Sequence, residues 1–208
     1  YGRLAQPDEV SKLALLAEDE GFHSVWLADH VVFPSKVASK YPYSPDGSFP
    51  VPLDEPLLEP VATMGVLVGA TKRVKIGTAV LVMPYRNPIL LARMLATLDV
   101  LSKGRLTTGV GIGWMAEEIA LLDGPPFETR GASADEYIQA FRALWTEDHP
   151  SFHGDHVNFD GLKFFPKSPQ SPHAPLWVGG EAKPGRRRAG RLGDGWYPVG
   201  NNPRSPFD

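Results

Sequence analysis

Residues 74–83 read Val-Lys-Ile-Gly-Thr-Ala-Val-Leu-Val-Met, apolar almost throughout, and this limits the folds open to the chain. A strand with one wet face alternates polar and apolar side chains. A near-continuous apolar run marks a strand buried on both faces, which parallel sheets covered by helices provide. The flanking sequence agrees. Helical and extended patterns alternate along the chain, as a parallel sheet with crossover helices requires.

A helix is predicted over about Pro7 to Glu20, with Val10, Leu13, Ala14 and Ala17 on one face and Gly21 as its stop. Ser24 to Ala28 reads as a buried strand ending on Asp29-His30. Residues 31–56 show no period and read as a long loop, which in a compact domain is usually functional or disordered. Helices follow over about Pro56 to Ala70 and from Pro88, capped by Asn87. Arg105 to Val110 is a strand leading into Gly111-Ile112-Gly113-Trp114, and Met115 to Leu122 is a short helix. Ser133-Ala134-Asp135-Glu136 has capping-box spacing and is expected to open a helix with Tyr137, Phe141, Leu144 and Trp145 inward. Residues 150–166 look like a hairpin excursion. Leu176 to Val178, a helix over Glu181 to Leu192 and a short strand at Gly195 to Pro198 complete the series.

About five strands of barrel type result, in one domain over residues 1–208. A complete (β/α)₈ barrel takes eight strands and roughly 250 residues, so one strand is expected before Tyr1 and about two after Asp208. An open parallel sheet is the second architecture. It is weaker because no G-x-G-x-x-G follows the first strand.

The 208 residues include no cysteine, which excludes disulfides, thiolate metal sites and cysteine nucleophiles. A net charge of −3 offers nothing to nucleic acid. No apolar run approaches the roughly 20 residues that span a bilayer, and the default expectation is a cytoplasmic protein. No G-x-S-x-G elbow is present, and His153-Gly154-Asp155-His156 fits a hairpin turn better than a metal site.

In a parallel barrel the site forms where strands end. Asp29-His30 is either a polar strand end facing water or a proton-transfer group, with the carboxylate orienting the imidazole. Thr78 to Leu81 reads only as core. Gly109, Gly111 and Gly113 share one strand face, and leave either a tight barrel interior or a groove for a flat ring, walled by Trp114. Gly179-Gly180-Glu181 precedes a helix and makes a phosphate seat. The helix carries Arg186, Arg187, Arg188 and Arg191, a solvated face from which one arginine could reach that phosphate.

Taken together these stretches resemble the luciferase-like monooxygenase family, and within it the branch of oxidoreductases using coenzyme F420. The resemblance rests on residues 21–30 (GFHSVWLADH), 76–80 (IGTAV), 98–105 (LDVLSKGR), 109–114 (GVGIGW), 177–180 (WVGG) and 191–196 (RLGDGW), which span nearly the whole chain in family order. It implies a deazaflavin ring in the barrel mouth, backed by a non-prolyl cis peptide at Ala79-Val80. It implies His30 near the reactive face, Asp29 at a cofactor hydroxyl or polar edge, Ile112, Gly113 and Trp114 as a cofactor-contacting turn, and Gly179 and Gly180 on the phosphate side. The expected activity is hydride transfer between a small organic substrate and F420, in a homodimer. FMN with a partner flavin reductase is the alternative within the class. Gly185 departs from the family pattern and is expected to loosen its helix. Two other classes compete: a flavin-binding protein without turnover, and a metal-dependent barrel hydrolase, which would need paired histidines at a strand end.

Overall fold

The computed structural model describes residues 2–199. Helix α1 (Pro7–Asp19) leads into strand β1 (Ser24–Leu27), and helix α2 (Pro60–Ala70) into β2 (Lys75–Thr78) and β3 (Leu81–Val82). Helix α3 (Pro88–Ser102) precedes β4 (Leu106–Gly111), and α4 (Ala116–Leu121) and α5 (Arg130–Thr146) follow. A two-stranded hairpin, β5 (Phe152–His153) and β6 (Asn158–Phe159), comes before β7 (Leu176–Gly179), α6 (Lys183–Leu192) and β8 (Gly195–Tyr197).

The main sheet is parallel in the order β1-β2-β4-β7-β8, with β3 beside β4. It curls. The Trp26 ring of β1 lies 5.5 Å from Trp177 of β7 and 5.3 Å from Tyr197 of β8, although two strands separate β1 from β7 in the sheet. The two indoles fill the inside of this barrel wall. Gly77 and Gly195 leave them room: a Cβ on Gly77 would lie 2.5 Å from Trp26, and one on Gly195 2.7 Å from Trp177. Outside, α2, α3 and α5 pack Met64, Leu67, Leu91, Leu95, Ile138, Phe141 and Leu144 against the sheet in one core.

The apolar run 74–83 is two strands rather than one. Gly77 faces Thr107 and Leu81 faces Val110, so four steps on one side oppose three on the other. The extra residue is a bulge. The peptide Ala79-Val80 within it is cis, as the resemblance implies.

Three helix starts differ from expectation. Helix α2 begins at Pro60, because the Glu59 carboxylate caps it by accepting the Ala62 N–H at 2.7 Å, with proline in the first turn. Helix α5 begins at Arg130, running on from a 3₁₀ turn at Phe127–Thr129, so Ser133 and Glu136 are no capping box. The Ser133 hydroxyl donates to the Arg130 carbonyl, and Glu136 instead accepts the N–H groups of Asp155, His156 and Val157 in the hairpin turn. Helix α6 begins at Lys183, with Gly185 in its first turn. A Cβ there would lie 3.0 Å from the Gly180 carbonyl oxygen, so a larger residue at 185 would require the turn at Gly180 to give by a few tenths of an ångström.

Candidate active site

The β1, β3, β4 and β7 chains leave the sheet at the same end, and the sequence-predicted residues gather there. His30 follows β1 and is buried. Its Nδ1 lies 2.6 Å from Glu118 Oε2. The same oxygen accepts the Tyr85 hydroxyl at 2.6 Å, while Glu118 Oε1 accepts the N–H groups of Val31 at 2.6 Å and Val32 at 3.1 Å. Burial opposes the charge on Glu118, but the bonds from His30, Tyr85 and Val31 outweigh it and hold the carboxyl below the usual glutamate range. Burial, reinforced by the Glu118 charge, pushes the Tyr85 hydroxyl up, so it stays a donor.

Asp29 does not orient its neighbour. Successive residues in extended chain point to opposite sides, and Asp29 accepts the Val82 N–H at 2.8 Å and two Arg86 N–H groups at 2.7 and 2.9 Å. Arg86 also reaches Glu59 at 2.6 Å. Burial opposes the guanidinium charge, but the Asp29 and Glu59 carboxylates prevail and keep it protonated. This fork fixes the chain after β3 to the chain after β1.

Residues 31–59 contain neither helix nor strand. They fold over the strand ends and are tied to α4 at several points. Glu117 Oε1 accepts the N–H groups of Ala38 at 2.7 Å and Ser39 at 3.0 Å, and the Ser39 hydroxyl accepts the Ala116 N–H. Some burial opposes the Glu117 charge, but these bonds and the Ser39 hydroxyl lower its carboxyl to about 2. The segment supplies Phe33, Tyr41 and Phe49. His30 is 4.8 Å from Phe33, 5.3 Å from Phe49 and 6.0 Å from Trp114, and Trp114 meets Tyr41 and Phe49 at 5.3 and 5.4 Å. Tyr43 hydrogen-bonds Glu181, which is buried and also accepts the Val199 N–H.

The glycines of β4 do not form an empty groove. A Cβ on Gly109 would strike the Thr78 carbonyl oxygen, and one on Gly111 the Val80 side chain. A Cβ on Gly179 of β7 would meet Val80 too, 2.7 Å from its Cγ1. These glycines therefore take up the bulge. Gly113 has φ +77, and Arg130 donates to its carbonyl at 3.2 Å. Ile112 packs against the main core. Gly180 has φ +111 and turns the chain from β7 toward α6, whose N-cap, Ala182, offers no side-chain acceptor.

Other stretches behind the resemblance lie at the opposite end of the strands. The Arg105 guanidinium donates to Val68, Thr71 and Val74 before β4, and buried Asp99 accepts from Ser168 and Gln170. Asp194 accepts the Leu176 N–H at the start of β7. Arg188 and Arg191 both pair with Asp135, and Arg186 and Arg187 are exposed. Glu118, Tyr85, Arg86 and Glu117 went unnoticed in the sequence. The available signal was a pair of carboxylates three residues beyond the Gly-Trp turn.

A family profile described as luciferase-like monooxygenase matches residues 2–207. The chain belongs to that family. This luciferase-like chain is 34% identical over 193 residues to an F420-dependent glucose-6-phosphate dehydrogenase of Amycolatopsis mediterranei, covering 91% of the chain and 53% of the relative. It is also 34% identical over 146 residues to an FMNH(2)-dependent dimethylsulfone monooxygenase of Pseudomonas putida, covering 69% and 40%. Among solved structures it matches an F420-dependent secondary alcohol dehydrogenase in complex with an F420-acetone adduct, with a TM-score of 0.74, 28% identity, and 94% and 55% coverage. The chain spans less than two thirds of the length of the curated relatives it matches. Luciferase-like relatives of this kind are (β/α)₈ barrels, and the curled parallel sheet is part of one. Among the described residues no helix is long and apolar enough to cross a membrane, and no three His, Cys, Asp or Glu side chains group to hold a metal.

Proposed function

We propose that this chain carries the cofactor-side half of an F420-dependent oxidoreductase site, which moves a hydride between a small organic substrate and the deazaflavin. The observation that carries the reading is the buried His30–Glu118 pair, set at the strand ends beside Trp114 and the bulge. The residues present fit such a cofactor. Helix α6 opens without a side-chain cap, so its first N–H groups and its dipole favour an anion next to Gly179, Gly180 and Glu181. The ring would be held by Ala79, Val80, Ile112, Gly113 and Trp114, with Asp29 behind it, its buried carboxylate holding Val82 and Arg86 in place. Bound there, F420 supplies a carbon that accepts or returns a hydride. His30 then takes the hydroxyl proton of an alcohol as it becomes a carbonyl, and returns it in reverse. Phe33, Tyr41, Phe49 and Trp114 exclude water from that proton.

FMN is the second cofactor reading, supported by the FMN-dependent relative at the same identity. It brings a partner flavin reductase and oxygen chemistry. A homodimer belongs to either reading. Leu90, Met94 and Leu101 are exposed on α3 at spacings of one face, an apolar stripe suited to a second chain.

Fluorescence titration of the full-length protein with F420 and with FMN tests the reading. Submicromolar binding of F420 alone is expected. Binding of FMN alone moves the protein to the monooxygenase reading, and binding of neither overturns both. Bound cofactor whose oxidation state no alcohol or carbonyl alters points to a flavin-binding protein without turnover.

A further inference from the structure

We infer that Glu118 is a positioning residue that sets which nitrogen of His30 handles protons, and that it locks the same histidine to the start of the 31–56 loop. The inference rests on the proton role proposed for His30.

Glu118 acts here purely as an acceptor. An ionised carboxylate donates no hydrogen bond. Its four contacts are all to groups able to donate: the Tyr85 hydroxyl, the Val31 and Val32 N–H groups, and His30 Nδ1. Tyr85 and the two backbone groups can only give their protons here. With the carboxyl held ionised, Nδ1 must carry a proton as well. In the neutral ring that leaves the lone pair on Nε2. No hydrogen bond to Nε2 occurs among the described residues, and the rings of Phe33, Phe49 and Trp114 surround the imidazole. Nε2 is therefore the atom that exchanges a proton with substrate.

The two oxygens divide the work. Oε2 holds the imidazole and Tyr85, and Oε1 holds the first two residues of the loop. One carboxylate thus couples the tautomer of His30 to the path of the segment that covers it. The other charged groups here are committed elsewhere. Arg86 pairs with Asp29 and Glu59, and Glu117 binds Ala38 and Ser39. None of them replaces Glu118 at Nδ1.

The test is imidazole ¹⁵N NMR of the full-length protein, with no cofactor or substrate required. The chain has six histidines, and the His30 signals are those lost in His30→Ala. In the wild type the neutral ring is expected as the Nδ1–H tautomer. In Glu118→Gln, where the amide can donate as well as accept, the Nε2–H form should appear. Wild-type His30 found as the Nε2–H tautomer overturns the inference, whatever the variant does. A Glu118→Gln protein with the wild-type tautomer and an unchanged loop overturns it too. If F420 turnover is established, Glu118→Gln should lower kcat on the order of 100-fold with KM little changed and displace the pH profile. Adding His30→Ala should then cost little more. An active His30→Ala protein overturns the proton role proposed above and leaves the Nδ1–H assignment standing on the spectra.

Discussion

Glu118 and His30 are 88 residues apart in the chain and 2.6 Å apart in the structure. The contact joins the chain after β1 to the helix after the Gly-Trp turn, across a parallel sheet in which β2 lies between β1 and β4. Nothing local to either residue requires it. Its partner Tyr85 arrives from a third segment, so the group forms only when three strand ends are brought together.

Tyr85→Phe removes one donor from that buried carboxylate and nothing else of size. A hydrogen bond to a charged group contributes about 1.5–3 kcal/mol. The variant should lose stability of that order in urea unfolding, with an unchanged m-value. An unaltered midpoint would mean that Glu118 does not need the phenol.

At the other end of the sheet, Glu18 accepts the N–H groups of Val74 at 2.8 Å, Arg73 at 2.5 Å and Lys72 at 2.9 Å. These bonds, Val74 and Arg73 foremost, lower its carboxyl to about 2 from an ordinary value of 4.5. A depressed folded-state value means that the unfolded chain binds the proton first as pH falls. The contribution is complete above about 4.5 and fades as pH drops toward about 2. Glu18→Gln should therefore have a lower Tm than wild type at neutral pH, with the gap closing through that window. A gap that is constant with pH would show that the charge is not what these groups hold.

Val80 tests the packing of the bulge. Its methyl groups occupy the space where Gly179 and Gly111 would carry side chains. Gly179→Ala places a methyl 2.7 Å from Val80 Cγ1, an overpacking that costs about 1–3 kcal/mol. Val80→Ala in the same chain should recover much of that loss. Strict additivity of the two changes in denaturation would disprove the contact.

Some of this was legible in the sequence and some was not, for physical reasons. Strands β1, β4, β7 and β8 stand within about two residues of expectation, because each is a short run between turn or helix signals, although only β4 is buried along its whole length. The glycines of β4 were legible as a demand for smallness. What imposes the demand, the Thr78 carbonyl and Val80, depends on a strand some 30 residues earlier. The Ser133 to Glu136 pattern misled because a glutamate three residues after a serine can cap a helix or a neighbouring turn, and the hairpin at 154–157 offered three free N–H groups. Glu118 was hidden by the same ambiguity: an acidic first turn suits any helix dipole.

Glu117 governs the loop rather than the proton. Its carboxylate holds Ala38 and Ser39, and Ser39 in turn accepts the first N–H of α4. Glu117→Ala leaves both loop N–H groups without their acceptor and the Phe33, Tyr41 and Phe49 rings without a fixed base. The barrel core contains none of these contacts, so global stability should change little. Hydrogen exchange should speed selectively across residues 31–56 while the amides of α3 and β4 keep their protection. Equal acceleration in β4 would show that the loop is an integral part of the barrel. No acceleration would show that the aromatic contacts with Trp114 alone hold it in place.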